Sequence, residues 1–409
     1  MNDLIEKYAR VLLTSCLKVE KDQPLFISAN VERLDFVRIV SSIAYELGVK
    51  DIYFEMIDPY LRHDALKNLE VEDLKKLSFW NREIWNEYAK KNAAFLMLVS
   101  ETPGLMKDID PQKQNTMTMY SYETRKLFDD LRDKTELAWC IAAVPTYEWA
   151  KAVFNDSINP VDELWNKIFD ICGIKEDNPE EYWNNKINSL SIRANKLNSY
   201  NFKKLIYKNS KGTDFSIELP NNHIWSSGET KLINGKSVLV NFPTEEVFTS
   251  PKYDSANGIV YSSKPLSYHD VVINDFSITF KDGIAIDCSA KEGEEALKQM
   301  INSCENSNRL GEVALVQYSS PISLSNIVFQ ETLFDENASC HLALGASFPE
   351  CIEGGPKMTK EELISNGLNQ CDNHVDFMIG TSDLSIIGEM EDGTKVTIFQ
   401  DGDFTSDFN

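Results

Sequence analysis

Four largely apolar runs of strand length punctuate the first half of this chain, and stretches of helical periodicity lie between them. The runs are PLFISAN (24–30), KDIYFEM (50–56), AAFLMLVS (93–100) and ELAWCIAAVP (136–145). Residues 2–18 place Leu4, Ile5, Tyr8, Val11, Leu12 and Cys16 at helical spacing, and a second helical pattern runs from about Val31 to Leu47. Strands separated by helices imply parallel β-α-β units covered on both faces. The first half therefore reads as a Rossmann-like parallel α/β domain, closed by a helical stretch at 178–201.

From about residue 203 the texture changes to strand pairs broken by Gly, Asn and Pro: KKLIYKNSKGTDFSIELP, SVLVNFP, GIVYSS and FSITFKDGIAIDC. NSKGTD and KDG are hairpin signals between alternating runs, and one short helix is expected within 292–307. The expected division is an N-terminal α/β domain over 1–200 and a β-rich α+β domain over 201–409. A chain of 409 residues suits two or three domains of ordinary size.

Charge excludes one class of partner. The chain has 64 acidic against 41 basic side chains, a net −23, which repels a phosphate backbone, so no nucleic acid is expected. No stretch approaches the ~18 apolar residues of a membrane span. The opening segment lacks the basic start and cleavage site of a secretory signal, and the eight cysteines are scattered without a CxxC pair; both point to a cytoplasmic protein with reduced thiols. Cys340 alone directly precedes a histidine. No GxGxxG, GxxxxGK[ST], HExxH, GxSxG or SxxK occurs, so the α/β half shows no phosphate-cradling loop.

Two of the histidines, His341 and His374, sit in acid-rich contexts in the last third. HVDFMIG (374–380) reads as a strand whose His374 and Asp376 share one face, the spacing of a two-ligand metal clamp and equally of a solvent-facing pair. FDENASCHLALG (334–345) offers Glu336 and His341, with Asn337 as a candidate helix cap. GEVALV (311–316) puts Glu312 just ahead of a β run. NFPTEEVFTSP (241–251) puts Glu245 and Glu246 at the end of another, where extended neighbours point opposite ways and at most one faces a given site.

Taken in order, NFPTEEVFTSP, RLGEVALV, DENASCHLALG, HVDFMIG and EDGTKVTIFQDGDF resemble the successive signature segments of the M29 family of metalloaminopeptidases, the thermophilic or aminopeptidase T/S type. The resemblance spans essentially the whole chain. It implies two divalent metal ions held in the C-terminal domain, with ligands falling at Glu246, Glu312, Glu336, His341, His374 and Asp376; Gly often stands in the family at the position of Glu245. Four carboxylates and two imidazoles balance two divalent charges and suit Zn²⁺, Co²⁺ or Mn²⁺. Glu312 and Asp376 are the expected bridges, because unbridged ions would repel.

One position departs from the pattern. The family typically carries Tyr seven residues after the His of the HLALG segment, and Phe348 stands there. The resemblance thus implies a cytoplasmic, homodimeric hydrolase of the EC 3.4.11 class that removes N-terminal residues from short peptides with a free N-terminus. Glu245 is a candidate proton carrier, and Phe348 occupies a catalytic position without its hydroxyl; Tyr318, Ser319 and Ser320 are possible substitutes. The alternatives are a non-catalytic metal- or peptide-binding relative and a dinuclear hydrolase of non-peptide amides.

Overall fold

The computed structural model describes residues 1–268 and 271–408, with the backbone alone at Phe79; His269 lies outside the described residues. Its contacts divide the chain into two compact units, Met1–Asn184 with Glu229–Pro243 and Asn185–Gly228 with Thr244–Asn409. In place of one cut near residue 200, the chain divides at 184/185 and returns once. Among the described residues, no helix is long and apolar enough to cross a membrane.

The first unit begins with α1 (Asn2–Val11), then alternates β1 (Leu25–Asn30), α2 (Leu34–Glu46), β2 (Ile52–Ile57), β3 (Ala94–Val99) and β4 (Trp139–Ala143), with further helices between the later strands. All neighbouring strands pair in parallel in the order β2-β1-β3-β4, a doubly wound sheet of the 2-1-3-4-5 type. Every residue of β1 is buried, as helices on both faces require. The edge beyond β4 is taken by Asn241–Phe242, also parallel. The segment SVLVNFP, read as part of the β-rich half, therefore belongs to the first unit. Its Phe242 is fully buried, with ring centroids 5.7 Å from Tyr8 and 4.6 Å from Trp183.

The second unit is antiparallel. A nine-stranded sheet contains the two expected hairpins, Lys204–Lys208 with Asp214–Glu218 and Val271–Lys281 with Ile284–Glu292. The long helix α3 (Pro179–Tyr200) crosses the division between the units, and the short expected helix is α4 (Glu294–Ile301). A five-stranded sheet carries the candidate residues: β5 (Val247–Thr249), β6 (Leu310–Leu315), β7 (His341–Gly345) and β8 (His374–Met378), in the order β8-β7-β6-β5, with Ser226–Ser227 at the far edge.

Alternation sorts this sheet into two faces. Val247, Val313, Leu315, Leu342, Leu344 and Phe377 enter the hydrophobic core of the unit. The opposite face is aligned by register: Glu312 pairs with Ala343, Ala343 with Asp376, Ala314 with His341, and Gly345 with His374. Small residues at 314, 343 and 345 leave room for the long polar side chains beside them.

Leu310 is buried in the core cluster, and an unbroken strand would send Glu312 the same way. A register shift between Leu310 and Glu312 reverses the phase, the effect of one inserted residue in a β-bulge. Gly311 is that residue, and a Cβ on it would lie 2.1 Å from the carbonyl oxygen of Ala346. The crowding atoms are all backbone of Gly345 and Ala346, which leaves no easy relief. Gly311→Ala is expected to cost about 1–3 kcal/mol, read as a lower urea midpoint; an unchanged midpoint would show that the bulge is soft.

Candidate metal centre

The six residues come from five separate backbone segments. Glu312 follows the bulge in β6, His341 opens β7, and His374 and Asp376 alternate along β8. Glu246 immediately precedes β5, and Glu336 begins a single 3-10 turn, Glu336–Ala338. No helix follows that turn: the expected cap at Asn337 is absent, and the chain enters β7 at His341, which is buried.

The structure brings five of these side chains together in two overlapping groups, and Glu336 is in neither. Ligand atoms of Glu246, Glu312 and His341 all lie within 4.8 Å of one another, and so do those of Glu312, His374 and Asp376. Glu312 belongs to both. His341 Nε2 lies 3.2 Å from Glu246 Oε2, and His374 Nε2 lies 3.2 Å from Glu312 Oε2 and 3.3 Å from Asp376 Oδ1. Glu336 borders both groups electrostatically, its carboxyl raised well above the usual range by burial and then by Asp376 and Glu246.

Both imidazoles are oriented from behind. His341 Nδ1 is 3.1 Å from the Ser339 carbonyl, and His374 Nδ1 is 2.8 Å from the Ala346 carbonyl. A carbonyl only accepts, so each Nδ1 carries the hydrogen and each Nε2 points at carboxylate oxygens. Backbone anchoring of the far nitrogen is the usual support of a metal-binding histidine. Asp376 Oδ1 is buried, 3.3 Å from His374 Nε2. The donor set thus fits hard or borderline divalent cations.

Electrostatics in the cluster is one of mutual compensation. Burial pushes Glu312 up to about 7 against the hydrogen bond from His374. Burial opposes charge on His341, yet the hydrogen bond and charge of Glu246 raise it to about 10. For Asp376 burial is overcome by the charge of His374, which lowers the carboxyl to about 2.

The two adjacent glutamates separate as extended neighbours must. Glu245 turns to α3, where Lys186 Nζ lies 2.5 Å from its Oε2, while its Oε1 is buried without a partner. Burial raises its carboxyl, and Lys186 and Arg193 counter that. The Phe348 ring sits 4.8 Å from the imidazole of His374 and edge-on to Phe248 at 5.5 Å. Ser319 gives its hydroxyl to Asp403, and Ser320 caps a short helix through the Ser323 amide. Cys340 points into the core, where burial pushes its thiol up to about 12 and its sulfur contacts the Val316 carbonyl; it is no nucleophile.

The chain as a whole is similar to known proteins. The profile of the thermophilic metalloprotease family M29 matches residues 1–404. The chain belongs to the M29 family. Aminopeptidase 2 of Geobacillus stearothermophilus is 38% identical over 402 residues, covering 98% of this chain and 97% of that one. Aminopeptidase AmpS of Bacillus subtilis is 36% identical over 402 residues, 98% of each. The solved structure of wild-type AmpT from Thermus thermophilus superimposes with a TM-score of 0.91 at 30% identity, covering 99% of both chains. As an M29 protein the chain is a hydrolase of the metalloaminopeptidase class.

Two side chains in the neighbourhood escaped the sequence. Lys186 carries no local signal, because its partner lies 59 positions away, from 186 to 245. Asn337 is fully buried; its Oδ1 accepts from the Glu245 amide at 2.8 Å, and its Nδ2 donates to the Leu333 carbonyl at 3.0 Å and to Glu336 Oε1 at 3.3 Å. It joins the Glu245–Glu246 turn to the Glu336 turn. Asn337→Ala leaves an amide and a carbonyl unpaired, and a loss of about 1–3 kcal/mol in chemical unfolding is expected; Asn337→Asp keeps the acceptor but buries a further carboxyl beside Glu336 and should lose at least as much.

Proposed function

We propose that this M29 enzyme removes N-terminal residues from short peptides using two divalent ions, Zn²⁺, Co²⁺ or Mn²⁺, held by Glu246, Glu312, Glu336, His341, His374 and Asp376. The observation that carries the reading is the pair of imidazoles anchored through Nδ1 to backbone carbonyls with both Nε2 atoms aimed at carboxylates. Bound ions would supply a water of lowered pKa and an electrophile for the scissile carbonyl. Glu312, common to both ligand groups, is the best placed bridge; Asp376, in one group, is the second. The relatives named aminopeptidases support peptides with a free N-terminus as substrates. A cytoplasmic homodimer remains part of this reading.

The chain's own groups then have separate tasks. His341 and His374 keep one tautomer because their Nδ1 hydrogens are committed to backbone carbonyls. Glu245 stands outside the ligand groups, one oxygen on Lys186 and the other uncommitted. We assign it the passage of a proton toward the leaving amine, a role for a carboxylate that is not itself a ligand, which here requires the side chain to turn from Lys186 toward the ligand groups. Phe348 packs on His374 and offers no hydroxyl to an oxyanion.

Chelation should abolish peptide hydrolysis, and Zn²⁺, Co²⁺ or Mn²⁺ should restore it. Full turnover in protein shown by elemental analysis to hold no transition metal overturns the proposal. His341→Ala and Asp376→Ala should each lower kcat by orders of magnitude and reduce bound metal, with circular dichroism unchanged; near-normal turnover in both places the chemistry elsewhere.

Phe348→Tyr tests the missing hydroxyl. One oxyanion donor contributes about 10²–10³-fold at most, and a rise in kcat toward that range is expected. Phe348→Leu is the companion. A fall in thermal stability with kcat unchanged in both variants would mean that the ring only packs against His374 and Phe248, and that catalysis does not use this position.

A further inference from the structure

Five of the eight cysteines, at 16, 140, 172, 340 and 351, are buried, whereas Cys288, Cys304 and Cys371 are half-buried. Two of the accessible three face each other: the sulfurs of Cys304 and Cys371 lie 3.1 Å apart across 67 positions of sequence. A disulfide is ~2.05 Å long, so closure asks for a movement of about 1 Å.

The backbone around both thiols is already stitched together. Asn306 Nδ2 donates to the Gln370 carbonyl at 3.2 Å, Asn369 Nδ2 to the Asn306 carbonyl at 2.9 Å, and Asn373 Nδ2 to Ser303 Oγ at 3.1 Å. These bonds hold the two backbone segments side by side. Nor do they form a metal site: among the described residues, every group of three or more converging ligands belongs to the carboxylate–imidazole cluster.

We propose that Cys304 and Cys371 are a modification site, a dithiol that a low-molecular-weight disulfide of the glutathione class oxidises to an intrachain disulfide. The Cys304 thiolate attacks one sulfur of the oxidant, whose S–S bond breaks; the first thiolate leaves and takes up the proton that Cys304 lost. The Cys371 sulfur then attacks Cys304 in the mixed disulfide, forming the new S–S bond, and its proton goes to the second departing thiol. Two protein thiols are oxidised and one small disulfide is reduced to two thiols. Burial and the Cys304 sulfur push the Cys371 thiol up to about 11, which suits Cys371 to the resolving step.

The bond would close a loop containing β6, the Glu336 turn and β7, three residues ahead of His374. Cross-linking so long a loop restricts the unfolded chain more than the folded one. The disulfide is thus a reversible staple for the sheet face that carries Glu312, Glu336 and His341, and it needs no bound metal.

The experiment uses the reduced full chain treated with oxidised glutathione, then thiol counting in denaturant and peptide mapping without reductant. Two thiols should disappear into a peptide joining 304 to 371 that carries no glutathione, while Cys288, which has no cysteine neighbour, takes a glutathione adduct. The thermal midpoint should rise in the oxidised wild type, return with reductant, and stay unchanged in oxidised Cys304→Ser. Glutathione retained on Cys304 or Cys371 without a joined peptide overturns the proposal, and so does modification of Cys288 alone. A joined peptide with no rise in midpoint overturns the staple. The mapping is done on the wild type, so it stands even if the variant does not fold.

Discussion

Four carboxylates gathered on one side of a β-sheet repel each other, and the second unit is arranged around containing that repulsion. Glu246, Glu312, Glu336 and Asp376 all feel one another, at separations where like charges in a poorly solvated site are costly. Two imidazoles answer this charge. His341 and His374 are pulled toward the charged form against their own burial, and both are locked in place by backbone carbonyls. Protons on the two histidines offset only part of the charge of four carboxylates, and divalent cations suit the place of those protons, because the Nε2 atoms that hold them are ligand atoms.

The containment is a property of backbone more than of side chains. A bulge at Gly311 turns Glu312 out of the core, small residues at 314, 343 and 345 open space on the same face, and Asn337 ties two turns that are not neighbours in sequence. Glu245 and Glu246 divide at the start of β5, one toward Lys186 on α3 and one toward His341. Membership of the M29 family gives this arrangement a chemistry, and Phe348 against His374 marks where the chain departs from the expected pattern of its relatives.

Much of this was legible from periodicity and from the ordered signature segments. The apolar runs at 24–30, 50–56, 93–100 and 136–145 are strands of one parallel sheet, since a strand covered by helices on both faces has little choice of composition. His374 and Asp376 share a face because residues two apart on any strand do. What failed was local reading where local and tertiary signals conflict. Asn337 has the residue type of a helix cap, and its side chain serves a distant amide instead. SVLVNFP has the texture of the second half, and Phe242 finds its aromatic partners in the first.

By itself, the sequence determined the periodicities, the supply of ligand-type residues and the absence of any phosphate-binding loop. It also required that Glu245 and Glu246 point apart, without saying which way either points. Tertiary structure decided the rest: that Glu246 faces the histidines, that Glu312 leaves the core through a bulge, that Lys186 neutralises Glu245, and that Cys304 meets Cys371. The physical reason is one of range. Alternation along a strand is set by the chirality and pleat of adjacent residues, whereas the face that becomes a site is set by register between strands far apart in the chain, and a single inserted residue such as Gly311 reverses it.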